Sequence, residues 1–183
     1  HVTSKQINEH LKYITVGLSE SAKHDLEQKY SRYVAVSQTD QRLRMVAFDL
    51  YEHFISYVKP KGFKAMLTCS SRAAAVEMFY LLNKLDGINP AVVITPNSAK
   101  EGEDEINTTE TKKRIGDFFA KEIDPLYKNN YEAYEDWVTN EFVDPEGDID
   151  LLIVKDKLLT GFDAPPAAVL YVDKKLQDHT LLQ

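Results

Sequence analysis

The sequence predicts an α/β protein: an open, mostly parallel sheet with helices on both faces, preceded by a helical segment. Four short apolar runs carry this reading, at 65–69, 91–95, 149–154 and 168–172. They alternate with stretches whose apolar residues recur at helical spacing, the pattern of a sheet layered between helices. The first two runs flank a single helix. A strand–helix–strand unit of that length implies parallel pairing.

Residues 1–18 have mixed polarity and no firm period. Ser19 to Tyr30 reads as a helix capped by Ser19 or Ser21. Leu43, Val46, Ala47, Leu50, Phe54 and Val58 define an apolar helical stripe over 40–58, and Pro60 and Gly62 break it. Residues 1–60 therefore read as a helical N-terminal segment and 61–183 as the sheet domain. Ala65 to Cys69 is apolar without alternation, as in a strand covered on both faces. Ser70 or Ser71 caps a helix with Ala74, Met78, Leu81, Leu82 and Leu85 inward. Gly87 is expected as the left-handed residue that closes it. Ala91 to Thr95 is the next strand, stopped by Pro96, and 97–108 is a polar, acidic connection. Thr109 to Ile123 is a helix with Ile115, Phe118, Phe119 and Ile123 inward. Tyr127, Tyr131, Tyr134, Val138 and Phe142 form another helical face. The strands 149–154 and 168–172 both read as buried.

With 183 residues, 43% hydrophobic and 28% charged, the chain can bury one proper core. It starts at His1 and carries no terminal signal, so a piece of a longer protein is expected. No run approaches the roughly 18 apolar residues of a membrane span. The single cysteine, Cys69, excludes an intrachain disulfide and fits a reducing cytoplasm. A net charge of −7 argues against tight nucleic-acid binding by this stretch alone, because phosphate neutralisation dominates such affinity. The acidic excess is local, at Glu101, Glu103, Asp104 and Glu105 and at Glu132, Glu135, Asp136 and Glu141.

Two constellations carry chemistry. The first is Thr160-Gly161-Phe162-Asp163, between two strand runs and so at the carboxyl end of a strand, where open α/β sheets bind ligands. Thr160 can hydrogen-bond a phosphate oxygen. Gly161 allows close backbone approach, and Asp163 can accept from a ribose hydroxyl or pair with a cation. The bland alternative is a tight turn with Asp163 bonded to its own backbone. The second is Cys69-Ser70-Ser71-Arg72, at a strand-to-helix turn. Two hydroxyls, a guanidinium and helix-start N–H groups suit a phosphate there. A helix cap followed by a solvated arginine explains the same residues.

Leu158 to Pro165 resembles motif V of superfamily 2 helicases and translocases. The longer string KLLTGFDAPPAAVLYVDKKLQDHTLLQ, Lys157 to Gln183, is similar to the motor region of the R subunit of type I restriction-modification enzymes. The resemblance implies a RecA-like second motor domain. It implies that Thr160 and Gly161 touch the DNA strand, together with Ser70, Ser71 or Arg72 in a motif IV-like loop. Gly161 and Asp163 would face the nucleotide, with Asp163 near its ribose or linked to the other motor domain. Gln183 would open motif VI. The sequence contains no G-x-x-x-x-G-K-[ST] and no DEAD-like acidic motif, so ATP and Mg²⁺ are expected to be held by a first motor domain. No catalytic residue is expected in this stretch, and alone it should be inactive. The implied partners are double-stranded DNA, the first RecA-like domain and a nuclease domain of the same polypeptide, and methylation and specificity subunits; no membrane is implied.

Other readings compete. The chain fits another superfamily 2 helicase or remodeller, or a non-catalytic interaction module. Asp163, Asp173 and Lys175 imitate a carboxylate followed by D-x-K, a set that can bind Mg²⁺ and activate water. Tyr127, Tyr131, Tyr134 and Trp137 can stack on bases, but with only Lys128 nearby they read better as core packing. His1, His10, His24, His53 and His179 show no ligand spacing, so no metal site is expected.

Overall fold

Strands β1 (Lys64–Cys69), β2 (Pro90–Val93), β3 (Leu151–Val154) and β4 (Ala167–Asp173) form one sheet in the order β2-β3-β1-β4. Every neighbouring pair is parallel. The computed structural model describes residues 40–96 and 109–174. The expected helix at 19–30, the acidic connection at 97–108, and Lys175, Gln183, His1, His10, His24 and His179 lie outside them.

The four strands stand where the apolar runs put them, but their arrangement holds a difference. β1 and β2 are parallel without being neighbours, because β3 lies between them. All four residues of β3, Leu-Leu-Ile-Val, are buried, as suits an interior strand, but β2 at the edge is buried at all four residues as well, so burial alone does not set the order. β4 also departs from the expected buried strand. Its residues alternate between half-buried and exposed, and Leu170 and Val172 are 53% and 41% exposed. This is the period-2 pattern of a strand packed on one face only.

Helices cover both faces. On one side lie α1 (Asp40–His53), α2 (Arg72–Leu82) and α3 (Thr109–Phe118). α1 continues through a π-helical turn, Phe54–Val58, and a 3-10 turn, Lys59–Lys61. The four-residue spacing of Leu50, Phe54 and Val58 suits the wider turn, whose bonds run i→i+5. Gly62, at φ 75°, ends it in a conformation that costs glycine little. Leu43, Ala47, Leu50, Phe54 and Val58 join Ala65, Leu67 and Ile153 in one core cluster, so this helix packs with the sheet. α3 likewise widens into a π turn, Phe119–Ile123, and leads to the short α4 (Asp124–Tyr127). On the other face, Val138 and Phe142 of α5 (Tyr131–Val143) pack with Ala91, Val93, Leu152 and Val154.

The helix ends are set by identifiable contacts. Ser71 caps α2 as expected, its Oγ accepting from the Ala74 N–H at 3.1 Å. Gly87 is left-handed, at φ 82°, but α2 ends at Leu82, so Gly87 serves a later turn and not the helix end. At α5 the last carbonyls are satisfied by a buried lysine. Lys64 Nζ donates to the carbonyls of Glu141 (2.8 Å), Asp144 (2.6 Å) and Gly147 (2.9 Å). A cation at a helix C-terminus meets both the orphan carbonyls and the negative end of the dipole. Gly147 is required here, since a Cβ on it would run into the Glu141 carbonyl.

Candidate functional site

Because all four strands are parallel, their carboxyl ends share one rim of the sheet. Onto it open the turn after β1, the loop after β3 and the end of β4. Thr68 Oγ1 donates to the Lys155 carbonyl at 2.7 Å and ties the first two exits together.

The loop after β3 is divided by residue type. Leu158, Leu159, Phe162 and Ala164 pack against the cluster containing Val138 and Phe142. The Phe162 and Phe142 rings stack at 6.3 Å and 22°. Thr160, Gly161 and Asp163 are exposed. Gly161 has φ 74°, and a Cβ added to it would meet nothing within 4 Å, so the space beside its backbone is open. Leu158 also has positive φ, 62°, which is costly for a side chain of its size. Lys157 forms an ion pair with Glu135 of α5, anchoring the start of the loop. Neither Thr160 nor Asp163 has a hydrogen-bond partner among the described residues, and Asp163 does not make the backbone bond of a self-contained Asx turn. Beside Lys157 a cavity of about 300 Å³ is lined by Val93, Ile94, Phe119, Tyr131 and Tyr134.

In the turn after β1 the four residues have separate fates. Cys69 is buried, and burial pushes its thiol well above the ordinary range. Ser70 is exposed. Ser71 is half-buried and engaged as the helix cap. Arg72 is only 2% exposed, and its Nη1 donates to the Thr95 carbonyl at 2.9 Å. Its guanidinium therefore points along the turn toward the end of β2 and not to solvent. The structure leaves Ser70, Thr160, Gly161 and Asp163 exposed and engages Ser71 and Arg72 in the turn. It does not gather the exposed four at one point: the loop leaves the carboxyl end of β3 and runs back toward the amino end of β4, where the Lys64 N–H donates to the Pro166 carbonyl at 2.8 Å and Phe162 stacks on Phe142, whose ring lies 6.0 Å from Lys64 Nζ.

The aromatic series packs as a core face. Tyr127, Tyr131 and Tyr134 lie against the first cluster, and the Tyr134 hydroxyl donates to the Val92 carbonyl at 2.9 Å. Burial raises the Tyr134 hydroxyl above its ordinary range. Trp137 alone is exposed, at 45%. The D-x-K imitation meets a structural competitor: Arg42 of α1 holds Asp173 by two bonds, Nη1–Oδ1 at 2.5 Å and Nη2–Oδ2 at 2.8 Å. Among the described residues no group of three His, Cys, Asp or Glu side chains is placed to hold a metal ion. His53 Nδ1 lies 2.7 Å from the Tyr171 hydroxyl, whose titration burial pushes up to about 12.

Sequence reasoning missed one part of the rim. Asp156 bridges two lysines, with Oδ2 2.9 Å from Lys155 Nζ and Oδ1 2.9 Å from Lys174 Nζ. Burial disfavours its charged form, but the bonds from Lys174 and Lys155 outweigh that and hold the carboxyl below its ordinary range. Nothing in a linear reading joins Lys174 to Asp156, 18 residues away, because strand order creates the meeting.

The family model for type I restriction enzyme subunit R domain 3 matches residues 61–183. A putative type I restriction enzyme MjaIXP endonuclease subunit of Methanocaldococcus jannaschii is 31% identical over 162 residues, covering 88% of this chain and 14% of that protein. The type I restriction enzyme HindI endonuclease subunit of Haemophilus influenzae is 29% identical over 146 residues, covering 79% and 13%. A second putative subunit of M. jannaschii, MjaVIIIP, is 30% identical over 191 aligned residues, covering 100% and 15%. The chain thus spans about one seventh of the length of these relatives.

Proposed function

The chain belongs to the type I restriction enzyme subunit R domain 3 family, and from that premise we propose that it is the second of two RecA-like motor domains in an ATP-dependent DNA translocase. Ser70 and Thr160 contact the DNA backbone through their hydroxyls, Gly161 lets the main chain approach the strand, and Asp163 faces a nucleotide held across the interdomain cleft. Ser71 and Arg72 act indirectly, by holding the shape of the turn that presents Ser70. The observation that carries this reading is the loop after β3. Leu158, Leu159 and Phe162 fix it to the core while Thr160, Gly161 and Asp163 stay exposed. A strained backbone position such as Leu158 persists only where surrounding packing over-determines it, and such positions gather at ligand-binding loops.

The loop after β3 suits ATP as one wall and no more. It offers an exposed carboxylate and an open backbone position, a set suited to a ribose edge. The chain has no phosphate-cradling loop with its lysine for the triphosphate. Mg²⁺, the triphosphate and the hydrolytic chemistry are assigned to the first motor domain. DNA cleavage is assigned to a separate nuclease domain, and site recognition to the methylation and specificity subunits.

In the R subunit that contains this domain, Asp163→Ala is expected to lower DNA-stimulated ATP hydrolysis on the order of a hundredfold, the scale of a misaligned reacting centre. DNA cleavage should fall with it. Intact ATP hydrolysis with cleavage abolished would overturn the motor assignment of this loop. By itself the chain is expected to hydrolyse no ATP, and DNA-stimulated hydrolysis by the chain alone would refute the division of labour.

A further inference from the structure

We propose that Lys155 and Lys174 form a phosphate clamp that grips a phosphodiester of the DNA backbone at the rim, beside Ser70. This deepens the motor reading and rests on it. The register pairs Thr68 with Val154 and Cys69 with Asp173. Lys155, Ser70 and Lys174 are therefore the first residues beyond three adjacent strands, β3, β1 and β4. By this register Lys174 is level with Ser70, while Lys155 is level with Cys69, one residue lower; Asp156 joins the two lysines, and Ser70 lies two residues before α2, an 11-residue helix whose N-terminal dipole adds partial positive charge.

The charge pattern asks for an anion. Lys155 and Lys174 share the single carboxylate of Asp156, and Arg42 is paired with Asp173. Within the ion-paired group of Lys155, Lys174, Arg42, Asp156 and Asp173, three cations face two carboxylates, a local excess of one positive charge in a chain of net charge −7; the exposed Asp163 is not paired with any of these cations. The Lys155 and Lys174 side chains are only 11% and 14% exposed, while Asp156, 52% exposed, marks the solvent boundary. Two partly buried ammonium groups over one carboxylate leave a charge whose loss of hydration is uncompensated, and a bound anion would relieve it. Donor capacity agrees. Each ammonium carries three N–H groups. Lys155 uses one, on Asp156, and Lys174 uses two, on Asp156 and on the Lys155 carbonyl at 3.4 Å, so three of six remain. One excess positive charge matches the single negative charge of a phosphodiester. A nucleoside triphosphate would bring several charges toward Asp156 and be repelled by it.

The test uses the R subunit and a DNA duplex, with affinity read by fluorescence anisotropy as salt is varied. The double variant Lys155→Gln/Lys174→Gln is expected to bind DNA about tenfold more weakly at ~0.1 M salt, and the slope of log affinity against log salt should shrink by about one, the release expected for one lost phosphate contact. The Michaelis constant for ATP should stay unchanged, and Lys155→Arg/Lys174→Arg should restore the slope. An unchanged salt slope in a folded Gln variant overturns the clamp. So does a raised Michaelis constant for ATP with DNA affinity intact, which would place nucleotide phosphates there instead. If the Gln variant does not fold, Asp156→Asn decides: it is expected to tighten DNA binding several-fold, and no change or weakening overturns the proposal. Absence of DNA-stimulated ATP hydrolysis in the wild-type subunit would refute the motor reading itself. An active wild type with an unaltered Gln variant refutes only the clamp.

Discussion

The ion pair between Arg42 and Asp173 allows a quantitative test that also decides between two roles for Asp173. It pins the carboxyl end of the edge strand β4 to α1. Asp173 is 9% exposed and Arg42 37%, so the pair is neither a surface bridge nor a fully buried one. Exposed pairs contribute about 0.2–1 kcal/mol, whereas breaking a buried pair costs about 3–5 kcal/mol because a charge is stranded. The asymmetry of exposure sets the expectation for each partner. Arg42→Ala strands a nearly buried carboxylate and should cost about 2–3 kcal/mol. Asp173→Ala leaves a guanidinium that water can reach and should cost less, about 1–2 kcal/mol. The double variant should show a coupling energy of about 1–2 kcal/mol. Urea denaturation of this chain, analysed as a double-mutant cycle, gives all three quantities. Additive losses with no coupling would refute the structural role. If Asp173→Ala also left stability untouched but abolished Mg²⁺-dependent cleavage by the R subunit, the D-x-K reading would replace it.

Lys64→Met removes a cation, 4% exposed, from three carbonyls at the end of α5, and should destabilise the chain by about 2–4 kcal/mol in urea denaturation. The same residue sets a pH signature. Burial lowers its titration below the ordinary lysine value, so between the folded and the ordinary value the unfolded chain binds more protons. This group's contribution to stability therefore rises with pH across that alkaline window and is flat below it, and Lys64→Met should abolish the rise. A loss below about 0.5 kcal/mol would mean that water replaces the lysine at those carbonyls. Cys69, buried and with its thiol pushed up first by burial and then by the Asp173 charge, should resist alkylation in the native chain and react once urea unfolds it. Rapid native-state labelling, followed by mass spectrometry, would contradict its placement under the rim.

What the sequence made legible is what a single element can encode. Leu43 to Val58 repeats at helical spacing, and the observed helix and its π turn bury the same stripe. Leu151 to Val154 is wholly apolar and becomes an interior strand. Thr160-Gly161-Phe162-Asp163 announces its division by chemistry alone, since the phenyl ring is the one side chain of the four that gains by packing. Two kinds of information are absent from such patterns. The first is which strands become neighbours. A run records its own burial but not its partner, so the insertion of β3 between β1 and β2, and with it the meeting of Asp156 with Lys174, follows only from the assembled sheet. The second is which way a charged side chain leaves a turn. Arg72 at the first position of α2 has the same sequence neighbours whether it faces solvent or lies along the turn toward Thr95, and the choice is made by an acceptor 23 residues away. Both gaps decide where charge stands at the rim that is proposed to meet DNA. The guanidinium that looked available is engaged inside, and two lysines that looked ordinary stand at the strand exits. Positive charge at the rim is therefore set by tertiary pairing, which is why a net charge of −7 says little about the local field that a DNA backbone would encounter there.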